Sequence, residues 1–177
     1  EEIMAGELRG IGNHHYVQEE GGSFVRDDTR IPQEDNFAFT LHGAFVDVEG
    51  DGDLDIYEAN DFGYYVVPNR LLINDGTGHY TSVHDCECDL TIYGMGVGVG
   101  DLEADGLPDL VVTDLTSPRY LRNLGGGTFV DATLASGVYV EPGPTNFTSW
   151  ATGFTDFDRN GCMDVAVAYG GLSRGFE

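Results

Sequence analysis

Three copies of one acidic nonapeptide, set at nearly equal intervals, limit what this chain can fold into more than any other feature. Asp47-Val-Glu49-Gly-Asp51-Gly-Asp53-Leu-Asp55 recurs as Asp101-Leu-Glu103-Ala-Asp105-Gly-Leu107-Pro-Asp109 and as Asp156-Phe-Asp158-Arg-Asn160-Gly-Cys162-Met-Asp164. The starts lie 54 and 55 residues apart. Oxygen side chains at positions 1, 3, 5 and 9, with glycine at position 6, suit a hard cation such as Ca²⁺. That ion takes about 6–8 oxygen ligands at roughly 2.3–2.6 Å, and a short loop wraps it only by turning sharply. Glycine permits the turn because it enters positive φ without a Cβ clash. Position 7 is Asp53, Leu107 or Cys162, a freedom expected where only a backbone carbonyl is offered. Three such loops in register predict three calcium sites.

An EF-hand loop begins in the same way but requires a bidentate Glu at position 12. Loop one has Glu58 there, whereas loops two and three have Val112 and Val167. The flanks also read as strand. Ala44-Phe45-Val46 enters loop one, Leu54-Asp-Ile56-Tyr57 leaves it, and Leu110-Val-Val112 and Val165-Ala-Val167 follow the other two. Short β-branched and aromatic runs bounded by Gly and Asp are strand signals. The glycine alternation Gly94-Met-Gly96-Val-Gly98-Val-Gly100 would make poor helix. The EF-hand is therefore rejected.

A fixed period of this length points to a repeat architecture. Asn69-Arg70-Leu-Leu72-Ile-Asn74-Asp-Gly-Thr-Gly78-His-Tyr80 aligns with Pro118-Arg119-Tyr-Leu121-Arg-Asn123-Leu-Gly-Gly-Gly127-Thr-Phe129. A weaker copy stands at the start, Asn13-His14-His-Tyr16-Val-Gln18-Glu-Glu-Gly-Gly22-Ser-Phe24. Each unit reads as four short strands, A to D, with the acidic loop joining A to B and a glycine-rich hairpin joining C to D. About 40–50 residues with four strands is the size of a propeller blade. The predicted fold class is all-β, with blade repeats of antiparallel strands.

These units resemble FG-GAP/VCBS repeats, the calcium-loop blades of integrin-α-type propellers. They are most similar to the branch of cartilage acidic protein-like and bacterial secreted members. The resemblance is carried by Gly94-Met-Gly96-Val, Gly100-Asp101, the three acidic loops, Arg119-Tyr-Leu-Arg-Asn123, Gly127-Thr-Phe129-Val-Asp131-Ala-Thr133 and Trp150-Ala-Thr-Gly153. It covers most of residues 13–170 and implies calcium-bound blades serving adhesion, recognition or scaffolding, usually outside the cell. This chain departs from the pattern in two ways. Glu stands at position 3 of loops one and two, where the family usually has Asp, and a longer arm there shifts the metal or changes its affinity. Propellers of the family generally have about seven blades, and this chain has material for about three.

The phase of the repeats belongs with that shortage. A C–D half-unit (about 13–30) opens the chain. Two complete units (about 38–84 and 92–135) follow, and an A–B half-unit (about 146–177) closes it. The outer halves are complementary, and three blades do not readily close a ring, so each end is expected to present an unpaired strand edge. Such edges are templates for another chain. Three arrangements remain open: part of a longer propeller, a small self-contained three-unit sandwich, or head-to-tail pairing of one molecule's last half with the next one's first. The last is a heterologous contact that builds a filament if its rotation does not close.

Composition agrees with an extracellular calcium protein. The 177 residues are one domain's worth of chain, with 31 acidic against 8 basic residues and a formal charge of −23. Nucleic acid and anionic membranes are disfavoured as partners, since the footprint there is basic. No apolar run approaches the ~20 residues of a membrane span. The chain starts at Glu1 without a signal peptide, which suits a processed or trimmed chain. Asn146-Phe-Thr148 is its one glycosylation sequon. Cys86 and Cys88 are expected to be too close, on a strand-like segment, for an easy mutual disulfide. A bridge from either to Cys162 stays open. His84-Asp-Cys86-Glu-Cys88 could be a fragment of a zinc site but lacks a fourth ligand. His14-His15 is assigned to strand C of the first half-unit.

No Gly-x-Ser-x-Gly elbow, phosphate loop or His-Glu-x-x-His motif occurs, and the carboxylate spacing is explained by metal ligation. The chain is read as non-enzymatic. A protein or glycan ligand is the alternative reading, with Trp150, Tyr57, Tyr64 and Tyr65 as candidate carbohydrate platforms. Alternation makes most of these aromatics packing residues instead.

Overall fold

The computed structural model describes residues 9–34, 36–141 and 147–171, and these are almost entirely β. Two four-stranded antiparallel sheets form its centre. The first contains β3 (Phe39–Val46), β4 (Asp55–Asp61), β5 (Arg70–Asn74) and β6 (Tyr80–Val83), hydrogen-bonded in that order. The second contains β7 (Val97–Gly100), β8 (Asp109–Val112), β9 (Arg119–Asn123) and β10 (Phe129–Asp131), in the same order. Each acidic loop is the A–B connection, and each glycine-rich turn is the C–D hairpin. This is a β-propeller-like blade repeat, as the pattern predicts. A two-stranded hairpin of β1 (Tyr16–Gln18) and β2 (Phe24–Arg26) precedes the sheets, and a longer one of β11 (Phe147–Thr155) and β12 (Asp164–Gly171) follows them. His14 and His15 stand just before β1 and not in it. His14 pairs with Asp28 at 3.3 Å, and the His15 ring lies 6.2 Å from Tyr80. Among the described residues helix is confined to a 3₁₀ turn (Asp28–Arg30) and α1 (Thr133–Ser136), which Gly137 closes in the left-handed conformation (φ 79°).

The core lies between the two full blades. Ala44, Val46, Val48, Tyr57, Ala59 and Leu71 meet Val97, Leu110, Val112, Leu121 and Phe129 there, all buried. Every residue of β8 is buried, because both faces of a middle strand are covered by neighbouring blades. Inner strands approach one another over glycine. A Cβ on Gly98 or Gly100 would fall about 2.9 Å from the Phe154 ring of β11, so only glycine lets that ring seat on β7. β12 carries the same sequence pattern as β4 and β8 but stands half-exposed, paired only to β11 among the described residues.

The linker between the blades corrects one expectation. Cys86 and Cys88 form a disulfide with their Cα atoms 5.0 Å apart. The segment is a bend, not a strand, and Asp85 and Glu87 both have positive φ (65° and 59°). A strand would send these two side chains along one face about 6.5–7 Å apart. The left-handed residue between them brings them together. The bridge is buried, with the Cys88 carbonyl accepting from Tyr57 Oη (2.7 Å) and the Cys86 carbonyl accepting from Phe129 N (2.9 Å). It takes both sulfurs from the zinc fragment and leaves Cys162 as an exposed free thiol.

Candidate metal centres

The three loops fold alike because each begins with an aspartate that binds its own turn. Asp47 Oδ1 accepts from Gly50 N and Asp51 N (2.8 and 3.1 Å), and its Oδ2 accepts from Gly52 N (3.0 Å). Asp101 accepts from Asp105 N and Gly106 N (3.1 and 2.9 Å), and Asp156 from Asn160 N and Gly161 N (3.0 and 2.9 Å). Position 5 accepts from the amide of position 7 in every loop: Asp51 from Asp53, Asp105 from Leu107, and Asn160 from Cys162, at 2.7–3.0 Å. Position 6 has φ of 94°, 88° and 89° at Gly52, Gly106 and Gly161, which is the reason for glycine there.

Position 9 fastens the loop to its blade. Asp55 Oδ2 accepts from Val48 N (3.0 Å) and Oδ1 from Asn74 N on the C strand (2.9 Å). Asp109 repeats this with Leu102 N (3.0 Å) and Asn123 N (2.8 Å), and adds the Tyr120 hydroxyl (3.2 Å). Asp164 accepts from Phe157 N (2.8 Å). Asn74 and Asn123 were visible in the sequence as aligned positions, yet nothing there marked them as partners of the loops. Asn123 reaches further: its Nδ2 donates to the carbonyls of Pro108 and of Val48 in loop one, both at 3.0 Å. A buried side chain thus ties one loop to the next.

Position 3 separates the loops. In loop three Asp156, Asp158 and Asp164 each offer an oxygen within 4.8 Å of the others, the one such group of three among the described residues. In loop two the longer Glu103 swings out to an ion pair with Arg122. In loop one Glu49 leans toward Gly127 of the next blade. Asp53, at position 7 of loop one, has its carboxylate beside Gly76 of its own C–D hairpin. Burial first, then the Asp55, Asp51 and Asp47 charges, push the Glu49 carboxyl above its ordinary range. Burial also raises Asp55, against the amide hydrogen bonds from Asn74 and Val48, and Asp51 and Asp47 add to the rise. These carboxylates of loop one face one another.

Glu58, at position 12 of loop one, points away from the loop. It is buried, pairs with Arg70 at 2.9 Å and accepts from Asn13 Nδ2 at 2.8 Å. Of the aromatics considered as sugar platforms, Tyr57 is fully buried, whereas Tyr64, Tyr65 and Trp150 are exposed. Asn146 lies outside the described residues.

A family model described as FG-GAP-like repeat matches residues 47–112 and again 101–167. The two matches together span more than half the chain. Each runs from the first aspartate of one loop to the B strand that follows the next. Among curated proteins no relative matches.

Proposed function

The chain belongs to the FG-GAP-like repeat family, and from that premise we propose that it is a non-enzymatic, extracellular, calcium-stabilised repeat module. The observation that carries this reading is the common hydrogen-bond scheme of the three loops, with three carboxylate oxygens of loop three already within 4.8 Å. The donor set is oxygen throughout, the chemistry Ca²⁺ prefers. The ligands would be Asp47, Glu49, Asp51 and Asp55; Asp101, Glu103, Asp105 and Asp109; and Asp156, Asp158, Asn160 and Asp164. Backbone carbonyls of Asp53, Leu107 and Cys162 would join them. Without metal, mutual repulsion of these carboxylates opposes loop closure. A bound cation removes it and ties strand A to strand B. At ~1 mM calcium and a Kd of ~0.1 mM each site stabilises by about 1.4 kcal/mol, so three contribute roughly 4. That is a large share of a net stability of ~5–15 kcal/mol.

The Cys86–Cys88 disulfide supports an oxidising compartment, and the charge of −23 suits a solvated extracellular surface. Calorimetric titration of chelator-treated protein with Ca²⁺ is the test, read beside thermal unfolding. Three equivalents bound and a higher Tm are expected. No heat and no change in Tm would sink the reading.

The B strand β12, paired only to β11 among the described residues, and the C–D hairpin β1–β2 at the other end favour assembly through half-blades. The occupant of β12 is either the first hairpin of another copy, head to tail, or further blades. A ligand face on a closed propeller is the alternative.

A further inference from the structure

Loop three lacks two contacts that fasten loops one and two to their blades. In those loops the C-strand asparagine gives its backbone N to the carboxylate at position 9, Asn74 to Asp55 (2.9 Å) and Asn123 to Asp109 (2.8 Å). Its side-chain amide donates to the carbonyl at position 8, Asn74 to Leu54 (3.1 Å) and Asn123 to Pro108 (3.0 Å). Loop three has the same acceptors in Asp164 and Met163. Among the described residues Asp164 accepts only from Phe157 N, and no donor reaches the Met163 carbonyl. Asp55 and Asp109 are buried, whereas Asp164 is half-exposed.

A C–D hairpin with a free edge stands at the other end of the chain. The repeat alignment puts Gln18 of β1 where Asn74 and Asn123 stand, Tyr16 where Leu72 and Leu121 stand, and Phe24 where Phe129 stands. Leu72, Leu121 and Phe129 are buried, but Tyr16 is exposed and Phe24 is 64% exposed. Among the described residues β1 pairs with β2 alone. Its backbone is set for a second partner. The His15 carbonyl accepts from Asp27 N and Glu19 N donates to the Ser23 carbonyl, both at 2.9 Å and both toward β2. Antiparallel alternation then turns the N–H groups of Tyr16 and Gln18 to the open edge. Two full blades stand between this hairpin and β12 in the chain, and the two lie in separate sheets.

We propose that β1 of a second copy docks on β12 and completes loop three in trans. The full blades pair Ile56, Tyr57 and Glu58 with Leu72, Leu71 and Arg70, and Leu110, Val111 and Val112 with Leu121, Tyr120 and Arg119. The same register would set Val165, Ala166 and Val167 opposite Tyr16, His15 and His14. Gln18 N would then reach Asp164. Its side-chain amide, which now donates to the Gly22 carbonyl at 3.4 Å, would turn to the Met163 carbonyl. The inference rests on the calcium reading of loop three and adds its regulation by assembly. Each copy carries −23, and Glu20 takes the alignment place of Gly76, which lies beside Asp53 of loop one. Acid thus meets acid at the joint, and a bound cation offsets the repulsion. Calcium therefore tightens joining, and joining tightens calcium at loop three by the same factor.

Gln18→Pro tests the joint, because it removes the donor N–H, and proline is tolerated where that N–H faces an open edge. By sedimentation velocity the parent chain should self-associate about fivefold or more tightly in calcium than in chelator. Gln18→Pro should lose this association. Calorimetry should find its first two calcium sites unchanged and the third weakened by the same factor. Asp164→Ala keeps the hairpin but lacks the acceptor. Mixed with it, Gln18→Pro should form dimers and nothing larger, although neither variant associates alone. A parent chain that stays monomeric in calcium would overturn the proposal, as would association or a third site unaffected by Gln18→Pro. In those cases heat from loops one and two would leave the calcium reading standing. No heat at any loop would overturn both.

Discussion

Within each loop the side chains at positions 1, 5 and 9, all aspartate except Asn160 in loop three, do different work, and substitutions should separate them. Asp51 makes one hydrogen bond, to the neighbouring Asp53 amide. Asp51→Ala should lower Tm by about 3–6 °C in calcium, the loss of roughly 1.4 kcal/mol in a chain of this size, and have little effect in chelator. Asp55 holds two amides from separate segments, so Asp55→Ala should destabilise in both conditions. Equal losses for both variants with and without metal would refute the division. Position 3 offers a gain. Glu103 is drawn off by an exposed Arg122, and an exposed pair of this kind is worth only about 0–1 kcal/mol. Glu103→Asp should therefore tighten calcium binding several-fold by calorimetry, and unchanged affinity would show that the arm's length is immaterial. Glu58 belongs to folding instead. Its buried pair with Arg70, broken in Glu58→Ala, should cost about 3–5 kcal/mol in urea unfolding, whether or not calcium is present.

Among elements, strands carry the loops and one asparagine links them. Asn123 sits on β9 and bonds to the Asp109 carboxylate and to the Val48 carbonyl of loop one. Val48 in turn donates to Asp55. Ordering loop two therefore orders part of loop one. With Asn123→Ala, calcium binding at the first two loops should become independent, whereas the parent chain should show positive coupling. Titration of Asp156→Ala backgrounds, which leave loops one and two, would measure it. The strands themselves were legible in the sequence because period-two patterning, glycine turns and a fixed repeat all agreed. The linker was not. Nothing in His84-Asp-Cys-Glu-Cys88 signals left-handed backbone at Asp85 and Glu87. That conformation is held by contacts with Tyr57 and Phe129, which are distant in sequence.

At the scale of the whole molecule β12 stands apart, pairing only with β11 among the described residues. Its residues repeat the sequence pattern of the buried β4 and β8 and yet are half-exposed. If the head-to-tail reading holds, electron microscopy should show filaments in calcium that fray on chelation. Deleting residues 1–30 should abolish growth, because it removes the hairpin that would pair with β12. Compact particles of one size would instead assign the edge to further blades, and continued growth of the truncated chain would exclude this joint.

The blade architecture, the loop positions and the hard-oxygen chemistry are determined by the sequence alone, since each rests on short-range spacing repeated three times. Local patterns of this kind need no knowledge of what lies across the sheet. Tertiary structure decided the rest. Glu103 left its loop for Arg122, while Glu49 stayed beside Asp47, Asp51 and Asp55 and leaned toward Gly127 of the next blade. Tyr57 became core while Tyr64 joined a surface cluster. Asn123 came to bridge two loops 75 residues from its partner. These depend on which blade packs against which, and a long side chain goes to the partner that packing brings within reach.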